Sequence, residues 1–198
     1  MLNDKVEAAR SGVSAGFGSV AKSVIRAGEV VWAPEVQYPL VSSAELSQLG
    51  QQEPPDLYSQ VDVDLFAKNE LEEWLLNHSC EPNCVMRNRT LVAVRGIAVG
   101  EELTYDYGLT ETLSEWSFWC KCGRPDCRVF VCNRDYLGFG LRRKMKGRVP
   151  EHALIAASRA SKVEVIGYYL RFVLYRLRYR VFADQSVPKW LRWVRWWS

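Results

Sequence analysis

Long apolar runs are absent from this sequence. No stretch approaches the roughly 18–20 consecutive apolar residues that a bilayer-spanning helix requires. The opening, MLNDKVEAARSGV, lacks a basic segment leading into an apolar one, so no secretory signal is expected. The expected compartment is intracellular and reducing. Cysteine is scarce: six in 198 residues are too few for a disulfide scaffold, which would be shorter and richer in them. No internal repeat is found, and up to about residue 110 there is no strand–helix–strand alternation of the parallel α/β kind. What is present, 48% hydrophobic and 25% charged residues, is an ordinary globular composition on a chain long enough for one domain and an appendage.

Charge is unevenly spread. Residues 1–127 carry 10 Lys and Arg against 19 Asp and Glu, whereas residues 128–198 carry 16 against 4. An acidic body suits a cationic partner, and a basic tail suits an anionic one such as nucleic acid or a membrane surface. Two merely solvated faces would give the same pattern.

The opening up to about Ser14 is polar and reads as a short helix or an irregular end. GFGSVAKSVIRAGEVVWAPEV sets Gly16, Gly18 and Gly28 among β-branched residues, which predicts two short strands joined by a turn at Ala27-Gly28. Ser42 or Ser43 can cap a short helix closed by Gly50 and Pro54-Pro55. KNELEEWLL predicts one or two helical turns, and TLVAVRGIAVGEELTYDYG a strand, a turn and a strand. Beyond Cys132 the pattern turns helical, with a break near Pro150. From Lys162 to Phe182 apolar and aromatic residues surround Arg171, Arg176, Arg178 and Arg180, and four Trp fall within the last nine residues.

Three segments carry chemistry. NHSCEPNC, residues 77–84, is open to reading as a thiolate with its base, as metal ligands, or as the glycosylation pattern Asn77-His78-Ser79. GEELTYDYG, residues 100–108, puts Tyr105 and Tyr107 on one face of a strand and Asp106 on the other, which a core strand would also do. CKCGRPDC, residues 120–127, brings three thiols around a Gly-Arg-Pro turn. They can wrap one zinc but leave tetrahedral coordination one ligand short, and Cys80 is the candidate for the fourth position. Cys84 and Cys132 are left over. The GFG glycines have a rival reading as a dinucleotide loop, but that loop leads into a helix and SVIRAGEVVW is strand-like.

In order, GFG at 16–18, NHSCEPNC at 77–84, ELTYDY at 102–107 and CKCGRPDC at 120–127 resemble a SET-domain protein-lysine N-methyltransferase with a post-SET zinc-binding segment, of the compact single-domain type. The resemblance covers roughly residues 5–137. It implies a mostly β, β-clip-like fold of short strands with a threaded pseudoknot loop, here followed by a helical C-terminal extension. The expected division is a SET domain at 5–117, a post-SET zinc loop at 118–137 and a basic, aromatic-rich extension at 138–198.

The resemblance also implies S-adenosyl-L-methionine as methyl donor, a structural Zn2+, and cofactor and peptide entering from opposite faces. By position, Gly16, Phe17 and Gly18 would let the backbone approach the cofactor, and Asn77 and His78 would contact its amino-acid and adenine portions. Tyr107 would be the catalytic tyrosine, Tyr105 would govern product degree, and Cys80, Cys120, Cys122 and Cys127 would hold the zinc. A phenol of pKa about 10 is a poor base at neutral pH, so Tyr107 is expected to orient and polarise. A hydroxyl at Tyr105 leaves less room for a methylated amine, which favours mono- or dimethylation over trimethylation.

Two departures limit what carries over. ELEEWLL stands where relatives often have an Arg or aromatic residue before the NHSC segment, and no pre-SET zinc cluster is found. Peptide specificity is therefore expected from residues 35–70 and the post-SET loop. The acidic residues Glu53, Asp56, Asp62, Asp64 and Glu70 suit a basic tail such as a histone's, which would place the protein in the nucleus; a cytoplasmic substrate is the alternative. A non-catalytic SET-fold binding or scaffold protein, and a methyltransferase of a non-histone protein, remain open. The extension can pack on the catalytic domain, meet a membrane interface or grip nucleic acid.

Overall fold

The computed structural model describes residues 2–183 except 13–15, 36–37, 50–56, 70–74 and 88, with side chains as far as 175. Its body consists of short strands: β1 (Val6–Arg10), β2 (Phe17–Ala21), β3 (Val30–Trp32), β4 (Tyr58–Asp62), β5 (Leu65–Lys68), β6 (Asn77–His78), β7 (Cys84–Arg87), β8 (Thr90–Ala93), β9 (Thr104–Tyr105), β10 (Ser117–Trp119) and β11 (Phe130–Cys132). β1–β2, β4–β5 and β10–β11 are antiparallel pairs, and β3–β8–β7 form a three-stranded antiparallel sheet. β6 and β9 pair in parallel.

The opening segment is a strand rather than the short helix or irregular end its polarity suggested. Val6 is buried while Glu7 and Arg10 stay outside, and the ladder runs from Val6 opposite Ala21 to Arg10 opposite Phe17. Pairing with a partner strand overrides a weak local preference. The turn at Ala27-Gly28 is as expected, with Gly28 at φ 87°, a left-handed conformation that favours glycine. Helix α1 (Ser43–Leu49) opens with a capping box: the Glu45 carboxylate accepts the Ser42 N–H at 2.7 Å, and the Ser42 hydroxyl accepts the Glu45 N–H at 3.3 Å. Gly50, Pro54-Pro55 and most of KNELEEWLL lie outside the described residues.

Two apolar cores organise the chain. Ile25, Val31, Trp32, Leu76, Leu91, Ile97 and Leu103 build the first, inside the strands. The second joins Leu109, Cys132, Tyr136 and Leu137 to Met145, Ala153 and Tyr168 of the helical extension. That extension comprises α2 (Phe139–Lys144), α3 (Glu151–Arg159) and α4 (Lys162–Ala183). Pro150 stands at the N-cap of α3, where its missing N–H costs nothing. A capping box starts α4, with Ser161 N–H to the Glu164 carboxylate at 2.7 Å and Glu164 N–H to the Ser161 hydroxyl at 3.2 Å. Packing is thus the role of one face of the extension. No helix among the described residues is long and apolar enough to cross a membrane.

Candidate active site and metal centre

Segments 77–84 and 101–107 meet at one crossing. Asn77 lies opposite Thr104, His78 opposite Tyr105, and the Ser79 N–H donates to the Tyr105 carbonyl at 3.1 Å. Asn83 is fully buried and pins the crossing: its amide donates to the Glu102 carbonyl at 2.8 Å and its oxygen accepts the Thr104 N–H at 2.9 Å. An unpaired amide there would be costly, so both ends of this side chain are satisfied.

The GFG segment joins the same crossing. The Asn77 amide reaches the Phe17 carbonyl at 3.0 Å and the Glu102 carboxylate at 2.7 Å. Glu102 also accepts from the Ser11 hydroxyl at 2.8 Å and the Gly12 N–H at 2.8 Å. Gly16 and Phe17 are exposed at the edge, whereas Gly18 is buried. A Cβ on Gly18 would stand 2.3 Å from Glu102 Oε1 and 2.8 Å from Asn77 Nδ2, so any larger residue would displace these two side chains from their hydrogen bonds. Glu102 was not singled out in the sequence reading; its place between Gly100 and the tyrosines was the available signal.

Tyr107 is not a strand residue. β9 ends at Tyr105, and Tyr107–Leu109 form a 3-10 turn capped by Asp106, whose carboxylate accepts the Gly108 N–H at 3.1 Å. The two tyrosines remain neighbours nonetheless, with ring centroids 4.8 Å apart. The Tyr107 hydroxyl donates to the Leu76 carbonyl, on the residue just before Asn77. Burial pushes the Tyr107 phenol up to about 12, and the negative charge of Glu102 adds to the rise.

His78 turns its ring inward. Nδ1 accepts the Tyr107 N–H at 3.2 Å, and Nε2 lies 3.3 Å from Cys80 Sγ. A backbone N–H can only donate, so Nδ1 carries the lone pair and the ring proton sits on Nε2, aimed at the sulfur. Burial, outweighing the nearby Asp106 carboxylate, lowers the His78 pKa to about 4 and keeps the ring neutral. The rings of Tyr107 and Phe118 meet it edge-on at 5.4 and 5.3 Å.

The four thiols predicted to act together do converge. Sγ atoms of Cys80, Cys120, Cys122 and Cys127 all lie within 4.8 Å of one another, with Cys80 and Cys120 3.7 Å apart. Tetrahedral Zn–S bonds of about 2.3 Å separate the sulfurs by about 3.8 Å, so the donor set fits zinc. The backbone bends to allow this: Gly123 has φ 67° and Val129 φ 69°, the latter a strained value for a β-branched residue. Cys80 Sγ also accepts the Arg128 N–H at 3.3 Å, giving the sulfur a second donor beside His78. Among the cluster, Cys122 falls to about 7; burial raises it, but hydrogen bonds from the Cys80 and Arg124 backbone and the neighbouring thiols outweigh that. Cys84 and Cys132 stand apart in the two cores, pushed up to about 12 chiefly by burial, which makes them poor nucleophiles.

Arg128 links the two centres. Its guanidinium, 7% exposed, grips Asp106 with two bonds of 2.6 Å, and its Nε lies 3.1 Å from Asp135 Oδ2 as an ion pair. One buried side chain therefore holds the turn carrying Tyr107, the thiol cluster through the adjacent Cys127, and the second core. The sequence reading missed it; an arginine directly after the last cluster cysteine was a weak signal. A groove of about 290 Å3 opens beside Tyr105, lined by Gln60, Asp62, Met86, Arg87, Arg89, Glu111 and residues 147–152, which lead into α3.

Comparison with known proteins agrees with this geometry. Residues 16–108 match the SET domain family. A segment of the chain is 40% identical over 65 residues to a histone-lysine N-methyltransferase, H3 lysine-4 specific, of Eremothecium gossypii, covering 28% of this chain and 7% of that protein. It is 43% identical over 64 residues to histone-lysine N-methyltransferase ash1 of Drosophila melanogaster, covering 28% of this chain and 3% of that protein. It is 38% identical over 65 residues to probable histone-lysine N-methyltransferase set-23 of Caenorhabditis briggsae, covering 28% of this chain and 27% of that protein. The chain thus spans less than a third of the length of each of these relatives.

Proposed function

We propose that this chain is an S-adenosyl-L-methionine-dependent protein-lysine N-methyltransferase acting on a basic protein tail such as a histone's, with mono- or dimethylation favoured. The observation that carries the reading is the crossing itself, where the Tyr107 hydroxyl, Tyr105, Asn77 and Gly18 are gathered by the β6–β9 pairing. In this reading the SET domain spans 5–117, the post-SET loop 118–137 and the extension 138–198.

The residues fit the cofactor chemically. The Glu102 carboxylate and Phe17 carbonyl, which here accept from the Asn77 amide and the Gly12 N–H, are acceptors suited to an ammonium group, and those two donors are suited to a carboxylate once they exchange partners. Together these match an amino-acid head group, and the cofactor when bound supplies an activated methyl. The rest of the work is alignment and exclusion of water. Tyr107, protonated well above neutral pH, acts as a hydrogen-bond donor and orienting group rather than a base. A target lysine of pKa about 10.4 must lose its proton, and the apolar surroundings of Tyr105, Tyr107 and Phe118 favour the neutral amine. Cys80, Cys120, Cys122 and Cys127 hold a structural zinc that fastens residues 118–137 over the site, with His78 and Arg128 donating to the Cys80 sulfur. The groove at Tyr105 sets Asp62, Glu111 and Glu151 against Arg87, Arg89 and Arg148, so it offers carboxylates to a lysine-bearing peptide without being acidic as a whole, and a nuclear location follows if that peptide is a histone tail.

The test is transfer of labelled methyl to histones and to a cell lysate. Tyr107→Phe should lower the rate at least about a hundredfold with little change in cofactor affinity. Mass spectrometry should find mono- and dimethyl products from the wild type and a higher degree from Tyr105→Phe. Equal signal from wild type and Tyr107→Phe would leave the non-catalytic scaffold as the better reading, and labelling confined to lysate proteins would point to a non-histone substrate.

A further inference from the structure

Helix α4 has two unlike faces. Tyr168 is buried, Phe172 lies beside it, and Tyr175 stacks on Phe130 with ring centroids 3.8 Å apart, so this side is fastened to the domain. The other side carries Val163, Ile166, Leu170, Val173 and Leu174, each between 51% and 78% exposed. Spacings of three and four residues align them in one stripe about 16 Å long. A contiguous aliphatic surface of this kind is a contact surface by default. Its occupant is not any described part of the chain.

We propose that this stripe rests on an anionic lipid surface. From residue 162 to 198 the sequence holds eight Lys and Arg against two acidic residues, Glu164 and Asp184. A second copy docked stripe to stripe would bring two such cationic segments together, which costs electrostatic energy. Nucleic acid would satisfy the cations, but its phosphates and sugars offer little to five aliphatic side chains. The boundary between headgroups and acyl chains takes both: aliphatics sink below the headgroups and cations meet anionic lipid, and the sequence that follows α4 is itself rich in Trp, Lys and Arg. Because no described helix can cross a membrane, the contact is one that lies along the surface. The opposite face of α4 is held by the domain's second core, so the catalytic domain would be presented at a set orientation to the bilayer. This inference is independent of the reaction proposed above.

Flotation of the full chain with phosphatidylserine-containing and with pure phosphatidylcholine vesicles tests it. Binding should require phosphatidylserine and weaken between about 0.1 M and 1 M salt. Ile166→Glu with Leu170→Glu should weaken binding by about tenfold or more for each position, with an unchanged circular dichroism spectrum since both sites are exposed. Should that pair fail to fold, Ile166→Ser with Leu170→Ser provides the same comparison. Absence of flotation, or flotation equal in the double variants, overturns the proposal. So does a dimer in sedimentation that the same substitutions abolish, or a DNA mobility shift that they abolish, in the absence of vesicle binding.

Discussion

Removing the charge of Arg128 while keeping its bulk, as in Arg128→Met, takes the cation away from between two buried carboxylates. Asp106 and Asp135 are 5% and 1% exposed, and the guanidinium meets the first at 2.6 Å twice and the second at 3.1 Å. Breaking a buried pair by deleting one partner costs about 3–5 kcal/mol, because the other charge stays behind. For a chain of this size that lowers Tm by about 6–20 °C. The deficit should depend on pH with a definite sign. Burial already raises Asp135 to about 7, although Arg128 pulls it down. An acid raised in the folded state binds its proton where the unfolded chain, near pKa about 4, has lost it, so its contribution to stability is present at low pH and fades as pH rises. Without Arg128, Asp135 moves up further and can take a proton in place of the guanidinium. Thermal unfolding followed by circular dichroism should therefore show a smaller deficit at about pH 5 than at about pH 8. An equal deficit at both, or a loss below about 2 °C at the higher pH, would refute the idea that this network holds the Tyr107 turn.

Two further outcomes follow from the same geometry. Purified protein should contain about one zinc per chain, and Cys122→Ser should release it and loosen the post-SET loop, seen as faster proteolysis between residues 117 and 132; protein free of zinc with an intact fold would sink the assignment. Gly18→Ala places a Cβ 2.3 Å from Glu102 Oε1 and 2.8 Å from Asn77 Nδ2, so it should lower stability by about 1–3 kcal/mol and weaken cofactor binding by calorimetry. Adding Glu102→Ala should restore part of the stability; if it restores none, the close approach is not the cause.

Much of the site could be read along the chain because its residues come in short, ordered motifs. The thiol grouping was legible since C-x-C-x4-C leaves a tetrahedral site one ligand short, and Cys80 supplied the missing sulfur in space as well. Local rules also placed the turn at Gly28, a helix cap at Ser42 or Ser43 and the break at Pro150. They failed at residues 6–10, where a strand partner decided the conformation, and at Tyr107, where Asp106 caps a turn and ends the strand. The leftover Cys84 and Cys132 are each buried in a core of its own.

What the sequence alone determined is therefore the inventory: a chain of short strands, a thiol cluster, two tyrosines two residues apart, and a basic helical tail. Only the tertiary structure decided how these parts depend on one another. Asn77, Gly18 and Glu102 are distant in the chain and meet because β6 pairs in parallel with β9. The role of Arg128 rests on two carboxylates that approach it from different elements, a burial no local pattern encodes. The extension's two faces likewise became distinct only once Tyr168 and Tyr175 had been claimed by the second core, leaving Val163, Ile166 and Leu170 outside. Periodicity can show that a helix has an apolar side, but which side is covered depends on what packs against it.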